Sequence, residues 1–158
     1  MENREPVDSN QLLSSEKTGA ALAHVSGVFF PFFGPLVAFI VGNKSPYVRY
    51  HALHALIGML LLNAFLITIG VISLSISLMN LWRHYQENFQ NFEWWPIILK
   101  SAVTWIIIAL IGLTNTVVNI IQGIRAYGGQ WPKKSLTTAI VNRFLRRPQP
   151  AISPSQAS

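Results

Sequence analysis

Three histidines are the residues of this chain best suited to chemistry. His51 and His54 stand three apart, so on a helix they share a face, and His24 lies upstream in a separate apolar stretch. Imidazole ligates transition metals and haem iron, so a haem or metal-binding membrane protein acting through His24, His51 and His54 is one reading; it requires His24 to converge with His51 or His54. Metal sites in membrane bundles usually add carboxylates from facing helices, and no acid falls inside any apolar run of this chain. The expectation is therefore no metal and no cofactor, with the histidines hydrogen-bonding headgroups or backbone at the membrane interface. Serines recur at Ser73, Ser75 and Ser77, but a nucleophile needs a base in reach and an orienting acid, which no apolar run supplies. There is no cysteine, no Gly-x-Ser-x-Gly and no phosphate loop. No catalytic residue is expected, and the chain does not read as an enzyme.

The elements that must carry these residues are set by composition. Of 158 residues 51% are hydrophobic and only 11% charged, with a mean hydropathy of +0.37. A water-exposed domain carries about a quarter of its residues charged, so this surface is meant for lipid. The net charge of +6 would suit nucleic acid in a soluble protein. Here, however, Lys44, Arg49, Arg125, Lys133, Lys134, Arg143, Arg146 and Arg147 flank apolar runs, as the positive-inside rule places them, and no nucleic-acid partner is expected.

Three apolar runs extend over 18–42, 52–79 and 97–124, and Lys100 is the one charged residue within them. A bilayer core about 30 Å thick needs about 20 helical residues, so the second and third runs predict two full transmembrane helices. The first contains Gly27, Pro31 and the pair Gly34-Pro35, which break an uninterrupted helix. Its two halves either stack into one kinked span or fold back as a re-entrant hairpin covered by neighbouring protein. Basic residues are densest in the C-terminal tail and sparse between the two spans, where only Arg83 occurs, so the C-terminus is expected in the cytoplasm of a bacterial-type inner membrane.

Trp82, Tyr85, Phe89 and Phe92 fall on one helical face and, with Trp94 and Trp95, predict an interfacial aromatic helix. Ser135 is a good N-cap for a basic amphipathic C-terminal helix, with Leu136, Ile140, Val141, Phe144 and Leu145 on one side and Asn142, Arg143, Arg146 and Arg147 mostly on the other; it is expected to lie on the cytoplasmic leaflet. The fold class is thus an all-α membrane protein, a small helical bundle. Its expected organisation is a flexible tail over 1–15, a membrane domain over 16–147 and a disordered tail over 148–158.

Two polar stripes run inside the spans: Gly70, Ser73, Ser77 and Asn80 on one, Gly112, Asn115, Asn119 and Gln122 on the other. Both should face protein, because an amide turned to lipid is poorly satisfied. They read either as packing glue or as the lining of a hydrated path.

The stretch Ser45-Pro46-Tyr47-Val48-Arg49-Tyr50-His51-Ala52-Leu53-His54-Ala55-Leu56, with the earlier Ala20-Ala21-Leu22-Ala23-His24-Val25-Ser26-Gly27 and the later Ala126-Tyr127-Gly128-Gly129-Gln130-Trp131-Pro132, resembles a widespread family of small bacterial multi-pass proteins of unknown function. That family is distantly similar to the twenty-kilodalton component of the chloroplast inner-envelope translocon. His54 stands where the family prefers Gln, and Tyr50 where Phe is common. Pro46, Arg49, His51, Ala52, Gly129, Trp131 and Pro132 carry the match, and the first box reads as interfacial: a turn at Pro46, headgroup contacts from Arg49 and Tyr50, close approach at Ala52. The resemblance implies a non-enzymatic, channel-like or translocon-like helper of passage or assembly. The alternative is a membrane scaffold that binds partners and conducts nothing. Partners would be the bilayer and other membrane proteins or further copies of the chain.

Overall fold

The computed structural model describes residues 12–87, 93–133 and 135–145. The described residues are all-helical, with no strand: α1 (Ser14–Phe29), α2 (Phe33–Val41), a 3-10 turn (Gly42–Lys44), α3 (Pro46–Gln86), α4 (Trp95–Tyr127) and α5 (Leu136–Phe144). α3 and α4 are the two helices long and apolar enough to cross a membrane. The 18-residue windows that qualify them are 11% and 0% buried. A soluble protein would bury such helices in its core; these present their apolar side chains outward, as lipid-facing helices do.

The chain divides into two compact units, residues 1–60 with 117–158, and residues 61–116. The first holds α1, α2, α5, the start of α3 and the end of α4. The second is built from the remainder of α3 and α4 alone.

In the first unit the broken apolar run forms a helical hairpin. Pro31 has no N–H to continue α1, and the reversal is a three-residue γ-turn: the Phe33 amide donates to the Pro31 carbonyl at 3.0 Å, with Phe32 at φ 69° and ψ −54°. A bulky residue there is strained, and the packing around the turn must hold it. Small residues let the two arms close: a Cβ on Gly27 would lie 3.2 Å from the Pro35 ring, and one on Gly34 would meet the Ser26 carbonyl carbon at 2.7 Å. With 16 and 9 residues, neither α1 nor α2 reaches the length of a full crossing. The fold-back, not the kinked span, is the form the run takes.

Helix ends follow their capping chemistry. The Glu16 carboxylate accepts the Leu13 amide at 3.0 Å. Ser45 and Pro46 begin α3 as N-cap and first-turn proline, the Ser45 hydroxyl accepting from the Val48 amide at 3.3 Å. α4 ends in a Schellman motif, the Gln130 amide donating to the Arg125 carbonyl and the Gly129 amide to that of Ala126, with Gly129 at φ 76°. Ser135 caps α5 by accepting from the Thr138 amide at 3.1 Å.

The expected membrane-lying face of α5 is divided. Val141 and Thr138 are buried against the first unit, whereas Leu136 and Phe144 are exposed. The reason is a hydrogen bond: Tyr50 of α3 donates to Asn142 Oδ1 at 2.6 Å, which docks the helix on protein. Arg146 and Arg147 lie outside the described residues.

In the second unit no described residue is buried. Its hydroxyls are satisfied by their own helices, Thr68, Ser75, Ser77, Thr104, Thr114 and Thr116 each donating to the carbonyl four residues back. Ser73 also meets Thr104 at 3.4 Å across the helix pair. Gly70 and Gly112 have open space where a Cβ would stand. The aromatic stripe starts inside α3 without a break: Trp82 and Tyr85 stack in its last turns at 5.7 Å and are exposed. Phe89 and Phe92 lie outside the described residues, and Trp94 and Trp95 are exposed at the start of α4.

Candidate functional site

The first turns of α3 are the centre of the first unit. Tyr47, Tyr50, His51 and Ala52 are between 0% and 2% exposed, so these residues of the box pack on protein and Tyr50 is not free for headgroups. Residues three and four apart make one face of α3, and two segments distant in sequence cover it. α1 supplies Ala20, Ala23 and His24, all buried. The segment after α4 supplies Trp131, whose indole meets Tyr47 and Tyr50 edge-on at 5.0 and 5.1 Å and lies nearly parallel to His51 at 6.2 Å. Pro132 is buried beside it. Arg49 points away from this face, its guanidinium 5.1 Å from the Phe39 ring.

Tyr47 ties the arrangement together. Its hydroxyl donates to the Ala126 carbonyl at 2.7 Å, with the Gln130 carbonyl at 3.2 Å. Those carbonyls belong to the end of α4 that Gly129 shapes, so Gly129, Trp131 and Pro132 hold the closing segment where the tyrosines can use it.

The histidines converge. His24 Nε2 and His51 Nδ1 are 3.1 Å apart and buried, and the His24 and His54 rings are 5.8 Å apart between centroids. Asn119 of α4, itself buried, approaches the far nitrogen of His24, short of full hydrogen-bond geometry. The Gln130 carbonyl approaches the far nitrogen of His51, short of full hydrogen-bond geometry. Helix packing makes His24 and His51 core, in contact with protein and closed to headgroups. A haem between them does not fit, since two axial imidazole nitrogens stand roughly 4 Å apart across the ring plane, twice a metal–nitrogen bond.

The polar stripe of α4 divides. Asn119 and Gln122 face the first unit, Asn119 buried and Gln122 half-buried; Asn115 is half-buried and Gly112 open in the second. Sequence reasoning missed Tyr47 as the tie between α3 and α4. The signal was present in its position on the His51 face, but its partner is a backbone carbonyl, which leaves no mark on side-chain pattern.

No curated protein and no solved structure matches the chain. The resemblance to the translocon-related family is overturned by a different family match. The boxes that suggested it are those that lock the start of α3 against the end of α4, a packing solution that unrelated functions can share. Over residues 15–141 the chain matches, and so belongs to, the magnetosome magnetite crystal formation protein family, MamF/MmsF.

Proposed function

We propose that this chain is a non-enzymatic membrane scaffold that supports magnetite crystal formation from within the magnetosome membrane. The observation that carries the scaffold reading is the second unit: two apolar helices with no buried residue among those described, whose outward surface must be covered by lipid or by other proteins. Family membership supports the process it serves. A helper of passage stood on the translocon resemblance and loses its support with it.

The non-enzymatic reading rests on the shortage of acids. The described carboxylates are Glu16, Glu87 and Glu93, all outside the apolar runs, so no buried serine has an acid to orient a base. The membrane is of bacterial inner-membrane type, with the C-terminus on the cytoplasmic side, on the strength of the basic tail. Partners are other proteins of that membrane or further copies of this chain. A photo-crosslinking residue placed at Trp105, exposed on α4, tests this in the native membrane. Adducts to this chain or to defined magnetosome proteins are expected; adducts to lipid alone would overturn the scaffold.

A further inference from the structure

The imidazole cluster has a chemistry that packing alone does not account for. Asn119, His24, His51 and the Gln130 carbonyl stand in a row, joined by the 3.1 Å contact between the two rings, while the outer nitrogens, His24 Nδ1 and His51 Nε2, are buried short of a full hydrogen bond. His54 stands outside it. Both its ring nitrogens are buried without a hydrogen-bond partner, although its ring is 5.8 Å from His24. Buried polar atoms are almost always paired, so two orphans on one imidazole beside two more imidazoles ask for a ligand.

We propose that His24, His51 and His54 form a buried three-imidazole site for a divalent first-row transition-metal cation. The 3.1 Å between His24 Nε2 and His51 Nδ1 is close to the separation of two nitrogens that share one tetrahedral ion at roughly 2.0–2.1 Å each. A proton occupies that gap in the metal-free protein. On binding, the cation takes its place: the ring that held the proton in the gap carries it on its outer nitrogen instead, so both imidazoles stay neutral and both inner nitrogens turn lone pairs to the metal. The outer nitrogens then face Asn119 and the Gln130 carbonyl, the kind of second-shell partners that fix ligating imidazoles. As packed, no group of three His, Asp or Glu among the described residues encloses an ion; the ring that must turn is that of His54, the least enclosed of the three. Three neutral nitrogens and no carboxylate select a borderline cation over Ca2+ or Mg2+. The site lies within the first turns of α3, directly after the Ser45 cap.

The test is a Co2+ titration of the full chain in detergent, free of any polyhistidine tag, followed by visible absorption and by metal content after dialysis. One Co2+ per chain with the intense bands of a low-coordinate nitrogen site is expected, together with a raised thermal midpoint and displacement by Zn2+. His54→Ala should weaken binding about tenfold or more and abolish those bands, and His24→Gln likewise, while His84→Gln binds as the parent does. His54→Ala removes a ring that nothing hydrogen-bonds, so its metal-free melting should stay cooperative, which separates lost ligation from lost folding. No uptake at millimolar Co2+, the weak spectrum of a six-coordinate aquo ion, or uptake that survives His54→Ala would each overturn the site.

Discussion

Tyr47 and Ala126, 79 residues apart, are joined by a 2.7 Å hydrogen bond from the tyrosine hydroxyl to the alanine carbonyl. That carbonyl also accepts the Gly129 amide, so one atom serves both the C-terminal cap of α4 and its attachment to α3. Tyr47→Phe keeps the ring against Trp131 and removes only the hydroxyl. A buried hydrogen bond is worth about 0.5–1.5 kcal/mol net. The expected result is a loss of about that size, read as a lower thermal midpoint in detergent; an unchanged midpoint would show that the bond is dispensable.

Asn119→Leu makes a second, independent probe of the same unit. The amide is buried beside His24, and interhelical polar contacts in membranes contribute about 0.6–2 kcal/mol. The variant should melt lower than the parent. A higher midpoint would mean that the amide is a burden to packing and is kept for another purpose, such as contact with water.

Glycine positions separate the hairpin from the two-helix unit. In Gly34→Ala the new methyl would meet the Ser26 backbone at 2.7 Å, which only a separation of α1 and α2 relieves, and overpacking of this kind costs about 1–3 kcal/mol. Gly70→Ala and Gly112→Ala meet nothing within 4 Å and gain helix propensity of up to about 1 kcal/mol each. Thermal melts should therefore move in opposite directions. If Gly70→Ala or Gly112→Ala instead dissociates a complex seen by crosslinking, those glycines are contact points between proteins.

Because the chain has no cysteine, single cysteines at Asn3, Asn88 and Ser153, all outside the described residues, report topology without background. An impermeant thiol reagent should reach position 88 from outside, and positions 3 and 153 only after permeabilisation, because a fold-back of α1 on α2 returns the chain to its starting side. Labelling of position 3 from outside would mean that the first run crosses.

Much of the fold was legible because it is written locally. The lengths of the second and third apolar runs, Pro31 with Gly34-Pro35, and the cap at Ser135 each act within one or two turns, and each reappears as an element or its end. The site was less legible. His51 and Tyr50 sit where α3 begins, and a helix start next to Arg49 reads as interface; only the return of Trp131 and of Asn142, from far along the chain, buries them. The sequence offers His24 and His51 as candidates for convergence, yet their 3.1 Å approach depends on how α1 packs on α3. In the second span the stripe residues Gly70, Ser73, Ser77 and Asn80 are half-buried and Ser73 meets Thr104 of α4, while Ser75, outside the stripe, is exposed and bonds its own helix.

The central claim, that this membrane protein supports magnetite crystal formation as a scaffold, is tested most directly by the size distribution of crystals under the electron microscope. The host is a magnetite-forming bacterium lacking its own member of the family and complemented with this chain. The account predicts that the parent chain restores crystal size, and that Gly70→Leu with Gly112→Leu, present in the membrane at equal level, restores it less. Crystals identical with and without the parent chain, while the protein is inserted in the crystal-bearing membrane, would contradict it.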